Sequence, residues 1–376
     1  MIQYAAIDQP IGNISELKVD VTATSTDDEP LTKQITVNIK DGVTPSIDVN
    51  GSASLAETSD MDAATPAKKT FTQLLDINSG TDDINTVFFA LADDSVFKLG
   101  DLTSEERDLE VKSADGSYSL FIKGTNTEVL NISLDKQSGD VTVEQYQPLD
   151  NPLNNKIELK IAVTATDTDG DPGSNHFNLT LIDGHDPQIK PASSLDVFEK
   201  GLGEAGDNSQ VNSTTLMFEA SSDNIETIEI KDVGIIVTDQ NDAPVTLTAD
   251  KQTVQFEQTS TGLIGYIGSG VNKESVFEVT VNSDYASNDF GKVEFTLLKE
   301  VDHPNVGTDS LVLKLPLVAT DFDGDASQTG AQQAYVTVNL IDDVSTLKAS
   351  ILFDDITEPT LGTQVVQPRC KTSLLI

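Results

Sequence analysis

Three stretches of this chain can be laid over one another, and that repetition constrains the fold more than any other feature of the sequence. The first runs Ile7-Asp8-Gln9-Pro10, then Leu17-Lys18-Val19-Asp20-Val21-Thr22-Ala23-Thr24. The second runs Leu149-Asp150-Asn151-Pro152, then Ile157 through Thr166, and the third runs Val301-Asp302-His303-Pro304, then Leu311 through Thr320. Asp8, Asp150 and Asp302 stand 142 and 152 residues apart. Each alternating segment leads through an acidic loop to a second one, whose inward positions are Ile35, Val37 and Ile39, then Phe177, Leu179 and Leu181, then Val336, Val338 and Leu340. Each copy then closes on Asp41-Gly42, Asp183-Gly184 or Asp342-Asp343. Apolar residues at every second position mean half-buried antiparallel strands, with Thr, Asn and Lys on the wet face.

Upstream segments correspond as well. Ser79-Gly80-Thr81-Asp82-Asp83-Ile84 is echoed by Ser221-Ser222-Asp223-Asn224-Ile225, and Val129 through Leu134 by Val276 through Val281. The fold class expected is therefore all-β, a tandem array of antiparallel β-sandwich domains of the immunoglobulin or cadherin type. The boundaries expected are 1–45 for the end of one repeat, 46–187 and 188–343 for two complete repeats, and 344–376 for the opening of another plus a tail. The third repeat reads either as one sandwich or as two subdomains divided near residue 244. On this reading the chain begins inside a copy, with Met1 an added start. The end, Pro368-Arg369-Cys370 through Ile376, is unlike the rest and reads as either a non-native appendage or native sequence.

Charge narrows the partners. With 23 basic and 62 acidic residues the chain carries −39, which repels nucleic acid and anionic membrane and attracts divalent cations. The apolar fraction is 37%, with no Trp, so the cores must come from Val, Ile, Leu and Ala. The single cysteine, Cys370, permits no internal disulfide, and no apolar run reaches the roughly 20 residues of a membrane helix.

Acidic loops recur at one place, after the same strand: Asp167-Thr168-Asp169-Gly170-Asp171 and Asp321-Phe322-Asp323-Gly324-Asp325. On a continued strand the three carboxylates would share one face at about 7 Å spacing. Like charges so placed call for full hydration or a shared cation, and Ca2+ takes six to eight hard oxygens at about 2.3–2.6 Å. The pattern is not an EF-hand, since its Gly stands fourth and no Glu stands twelfth. In the first copy Ser25, Asp27 and Glu29 occupy those places, a weaker set. Asp150 and Asp302, before the strands, and Asp183 and Asp342, at the closures, are further candidates, each a ligand or a turn former. So is Asp239-Gln240-Asn241-Asp242-Ala243-Pro244, which is similar to the calcium-binding linker of cadherin-like domains but lacks one residue of its spacing.

The Leu-Asp-x-Pro segment, the Ala-Thr-Asp-x-Asp-Gly-Asp loop, the Asp-Gly-x-x-Pro closure and the stretch from Gly270 to Pro304 together resemble the repeats of about 143 residues in giant type I-secreted RTX adhesins of Gram-negative bacteria. The resemblance implies a calcium-stiffened extender at the bacterial cell surface, monomeric, working in adhesion and biofilm formation beside neighbouring repeats of the same chain. Asp343 in place of Gly and the degenerate first loop depart from the pattern. Two other readings stay open: a module that binds host or biofilm glycans or peptides, and a glycan-degrading enzyme. The first would need clustered aromatics, for which Tyr266, Tyr285 and Phe290 are the local candidates. The second would need a catalytic set, yet His176, His185 and His303 lie at turns, and no nucleophile or phosphate-binding motif occurs.

Overall fold

The computed structural model describes the chain except for residues 1, 4, 6, 8–13, 60, 151–154, 201, 203–209, 220, 305–308, 328–331, 344–347, 353–370 and 376, with side chains described up to residue 343. Asp8-Gln9-Pro10, Asn151-Pro152, Cys370 and most of the 344–376 segment thus lie outside the described residues. No α-helix occurs among the described residues, and no helix is long and apolar enough to cross a membrane.

The first copy contributes β1 (Ile14–Thr24) and β2 (Pro30–Lys40), an antiparallel hairpin in which Leu17 faces Val37 and Val19 faces Ile35. Its apolar side chains Leu17, Val19, Val21, Leu31 and Ile35 are exposed, because no opposing sheet covers them among the described residues.

The second repeat is a complete sandwich. Its strands are β3 (Ser46–Val49), β4 (Ala53–Ala56), β5 (Ala67–Phe71), β6 (Leu75–Asn78), β7 (Ile84–Leu91), β8 (Thr103–Ser104), β9 (Arg107–Ala114), β10 (Ser117–Ile122), β11 (Glu128–Asp135), β12 (Asp140–Gln145), β13 (Lys156–Asp167) and β14 (Pro172–Ile182). One sheet runs β4-β14-β13-β7 and the other β5-β12-β11-β10-β9-β8, with β3 paired to β6. Strand β13 shows how the sequence builds this. Ile157, Leu159, Ile161, Val163 and Ala165 are all buried, while Glu158, Lys160 and Thr164 alternate outward. The inward residues pack with Leu120, Leu130, Ile132 and Val143 of the facing sheet in one core.

The third repeat has a similar order, with five strands in the sheet where the second repeat has six. Its strands are β15 (Leu195–Phe198), β16 (Gln210–Thr215), β17 (Ile225–Ile230), β18 (Ile236–Asp239), β19 (Thr248–Ala249), β20 (Gln252–Thr253), β21 (Gln255–Gln258), β22 (Gly262–Ile267), β23 (Glu274–Val281), β24 (Lys292–Leu297), β25 (Ser310–Asp321) and β26 (Ala334–Ile341). They form sheets β15-β26-β25-β17 and β16-β24-β23-β22-β21, with β18 also pairing β25. In both repeats the short opening strand runs parallel to the closing one, β4 beside β14 and β15 beside β26. A single core runs from Leu195 to Leu340 and takes residues from both sides of position 244, including Ile230 and Leu247. Beyond it, β27 (Lys348–Leu352) pairs with β28 (Lys371–Leu375).

Candidate metal centres

Period-2 alternation does not stop at the last apolar residue of the long strands. In β13 the inward phase after Ala165 falls on Asp167, and in β25 the phase after Ala319 falls on Asp321, so each carboxylate is drawn inside, at 2% exposure. The strand ends there instead of continuing. Gly170 (φ +104) and Gly324 (φ +96) take the left-handed region and turn the chain back into a hairpin. Asp167 Oδ1 accepts the N–H groups of Gly170 and Asp171 at 3.0 and 2.8 Å, and Asp321 Oδ1 accepts that of Asp325 at 2.8 Å. The three carboxylates of each loop are therefore gathered by a turn, and the continued strand face that spacing suggests is replaced.

What each loop meets is the end of the preceding repeat. At the first junction Asp169 and Asp171 converge with Asp41, their carboxylate oxygens within 4.8 Å of one another. At the second, Asp321 and Asp323 meet Asp223, Asp223 meets Glu57 and Asp183, and Asp325 meets Asp183 and Asp186, all on the same criterion. The candidate site thus contains two linked halves, one from each repeat. Asn155 bridges them, donating from Nδ2 to Asp183 at 3.2 Å and to Asp325 at 2.9 Å.

Both junctions are tied by the same backbone device. Val43 N–H donates to the Thr81 hydroxyl and His185 N–H to the Ser222 hydroxyl, each at 2.7 Å. Thr81 and Ser222 N–H groups return the bond to the carbonyls of Val43 and His185 at 3.0 and 3.3 Å. This explains Asp-Gly at the closures: a Cβ on Gly42 or Gly184 would overlap the Thr81 or Ser222 hydroxyl.

Electrostatics at the second junction call for a cation or for protons on the carboxylates. Asp223 is 3% exposed, and neither of its carboxylate oxygens has a hydrogen-bond partner. Burial first, then the charges of Glu57, Asp323, Asp183 and Asp321, push its carboxyl up to about 10. Burial likewise raises Asp321 to about 8, with the contact to Asp323 adding to it, and Glu57 to about 8 against the hydrogen bonds it accepts from Leu149 and Gln145. Both oxygens of Asp323 and of Asp169 are also enclosed without a donor. Asp169 is raised to about 6, chiefly by its contact with Asp167. Two ligands on opposite sides of a calcium ion lie about 4.8 Å apart, so oxygens this close fit a shared hard cation. Buried carboxylate oxygens without donors fit it too.

Of the other candidates, Asp150 and Asp302 anchor turns. Asp150 accepts the N–H groups of Glu105 and Glu106 at 2.8 and 2.9 Å, and Asp302 that of Lys251 at 2.7 Å. Glu105, Glu106, Asp250 and Lys251 all have positive φ, so these carboxylates hold strained reversals in place. Asp239 caps its own turn, accepting from Asn241 and Ala243 N–H groups at 2.8 and 2.9 Å, with Asp242 at φ +61, on an exposed segment following β18. Asp342 joins Glu199 and His303 at the far end of the third repeat. Ser25, Asp27 and Glu29 lie at the exposed tip of the first hairpin, away from both junctions.

Sequence reasoning overlooked Glu57, Asp223 and Asp186, and did not join Asp41 to the second repeat's loop. The signal was present: Asp82 and Asp223 occupy matching places in the aligned Ser79–Ile84 and Ser221–Ile225 segments, and Glu57 and Glu199 each follow the short parallel strand. The aromatic residues Phe218 and Phe290 pack at 5.6 Å, and Tyr285 and Phe322 at 5.3 Å, beside a groove of about 300 Å³ at this junction that Met61 also lines.

A family model described as a domain of unknown function (DUF5801) matches residues 52–180. No curated protein matches this chain. Among solved structures, the chain is similar to mouse clustered PcdhgC3 EC1-3 at 11% identity, covering 89% of this chain and 77% of that one, with a TM-score of 0.23. It is similar to Drosophila N-cadherin EC1-4 at 15% identity, 96% and 68% coverage and a TM-score of 0.20. It is also similar to CfaE, the adhesive subunit of the CFA/I fimbria of enterotoxigenic Escherichia coli, at 14% identity, 80% and 99% coverage and a TM-score of 0.27.

Proposed function

We propose that this chain is an extracellular extender segment of a large bacterial adhesin of the RTX type, whose sandwiches are locked end to end by Ca2+ at their junctions. The observation that carries the reading is Asp223, buried without a donor among Glu57, Asp183, Asp321 and Asp323, carboxylates drawn from two successive repeats. A cation there binds both repeats at once and so removes the hinge between them. Without it, the carboxylates either stay ionised and repel by about 3–4 kcal/mol per pair at an effective dielectric of about 20, or take up protons at a cost to stability, and either way the junction loosens. Neighbouring repeats of the same chain are therefore the first partners. Export by type I secretion, a cell-surface location, a part in biofilm formation and the absence of catalysis belong to the same proposal. A scaffold duplicates its sites in tandem, as here, whereas a catalytic centre needs a single constellation.

Thermal unfolding and small-angle scattering of the whole chain, with calcium and then with chelator, test the reading. Calcium should raise the unfolding midpoint and narrow the spread of molecular dimensions. An unchanged midpoint and an unchanged scattering profile would overturn it. A second reading, a glycan- or peptide-binding module, draws on the groove beside Phe218, Tyr285 and Phe290. Phe218 pairs with Phe290, and Tyr285 meets Phe322 edge-on, so the rings are engaged with one another inside the third repeat and form no free platform.

A further inference from the structure

We infer that the far end of the third repeat is a separate metal site, built from Glu199, His303 and Asp342, that selects a transition metal of the zinc class over calcium. Ligand atoms of the three side chains lie within 4.8 Å of one another. The imidazole is 4% exposed and the Glu199 carboxylate 3%, and neither ring nitrogen has a hydrogen-bond partner. His303 Nε2 sits 3.4 Å from Glu199 Oε1, without an aligned N–H···O bond between them. That separation matches the edge of a tetrahedron around a metal with bonds near 2.1 Å, about 3.4 Å.

Glu199 is already oriented for such a role. Its Oε1 accepts the Val301 N–H at 2.7 Å and keeps a further lone pair for the side of the imidazole, 3.4 Å away. Glu57 is held in the same way in the second repeat, by Leu149 N–H at 3.1 Å and by the Gln145 amide. What differs is the residue after the aspartate: Asn151 in the second repeat and His303 in the third. The exchange changes metal preference in a definite direction. Calcium takes oxygen ligands almost exclusively, whereas imidazole suits Zn2+, Co2+ and Ni2+. Asp343, where both earlier closures have Gly, adds a further carboxylate at this end. The array thus holds two all-oxygen junctions and one mixed nitrogen–oxygen site. This inference does not rest on calcium at the other two.

Co2+ provides the probe, titrated into the full chain in a large excess of calcium and followed by its visible absorption. One equivalent should bind with the bands of a nitrogen-containing low-coordinate site and be displaced by Zn2+. His303→Asn, which restores the residue of the second repeat, should abolish the absorption or weaken binding by more than the about 10–100-fold that loss of an outer-shell partner costs. His176→Asn and His185→Asn should leave it intact. The circular dichroism spectrum and unfolding midpoint of each variant, measured without added metal, separate loss of the site from loss of the fold. X-ray absorption at the zinc edge should count one imidazole in the wild type. Uptake unchanged in His303→Asn, or no uptake by the wild type in calcium, would overturn the inference; the latter would leave His303 as the protonated partner of Glu199.

Discussion

Asp223→Asn keeps the shape of a buried side chain and removes its charge, at the point where two repeats meet. In the unfolded chain this carboxyl titrates near 3.8 and is ionised at neutral pH. In the folded chain without a cation, burial and four neighbouring carboxylates push it to about 10. Folding at pH 7 therefore requires it to take up a proton, which costs about 1.4 kcal/mol for each pH unit above 3.8, about 4 kcal/mol in all. That figure is set by the solution pH, and moving the folded value anywhere above 8 leaves it unchanged. Asparagine needs no proton. In chelator the variant should therefore be the more stable protein, by up to about 4 kcal/mol, or up to about 8–16 °C in midpoint for a unit of this size. In calcium the order should reverse, because the variant has lost a charged ligand shared by both repeats. Scanning calorimetry of both proteins in both buffers reads the four midpoints. A variant less stable than the wild type by the same amount in chelator and in calcium would refute the reasoning, since it would make Asp223 an ordinary packing residue.

The raised carboxyls also fix a pH dependence. Glu57 and Asp321, both held near 8 when folded, contribute stability that is full below their unfolded values near 4 and is lost as pH rises through 8. The cation-free protein should melt at progressively lower temperature from about pH 4 to about pH 9, while saturating calcium flattens or reverses that slope; identical slopes in the two buffers would contradict it. Gly184→Ala should drive the Ser222 hydroxyl out and break its bond to His185 N–H, lowering the calcium increment, and adding Ser222→Gly should restore the space but not the bond. Gly324→Ala, at φ +96, should cost about 1–3 kcal/mol and weaken calcium binding at the second junction, whereas Asp27→Asn, at the first hairpin's exposed tip, should leave both midpoint and calcium binding unchanged.

Which parts of this molecule could be read from the sequence follows from the range over which each signal acts. Strands β13 and β25 were legible because alternation is a local property: Ile157 to Ala165 and Leu311 to Ala319 declare an inward face without reference to anything else. Ordered matches between copies need no geometry, and the sheets β4-β14-β13-β7 and β15-β26-β25-β17 run in corresponding order. The acidic loops were visible for the same reason, but their partners were not. Asp325 and Asp183 are 142 residues apart, and only the stacking of one repeat on the next brings their carboxylates together. A reader who treats each copy as self-contained assigns Asp183 to the loop of its own repeat, when its carboxylate converges with Asp223 and Asp325 of the next one. The alternation rule did hold the missing step. Continued one position past Ala165 and Ala319, it puts Asp167 and Asp321 inside, and a carboxylate buried at a sandwich end needs a cation or a proton. A chain with 62 acidic residues has no shortage of surface on which to place them. Burying Glu57, Asp223 and Asp321 at the second junction costs stability in isolation, and the proposed cation would return it. On the proposed reading the folded array is conditional on its ionic surroundings, and His303, where the second repeat has Asn151, changes which ion satisfies that condition.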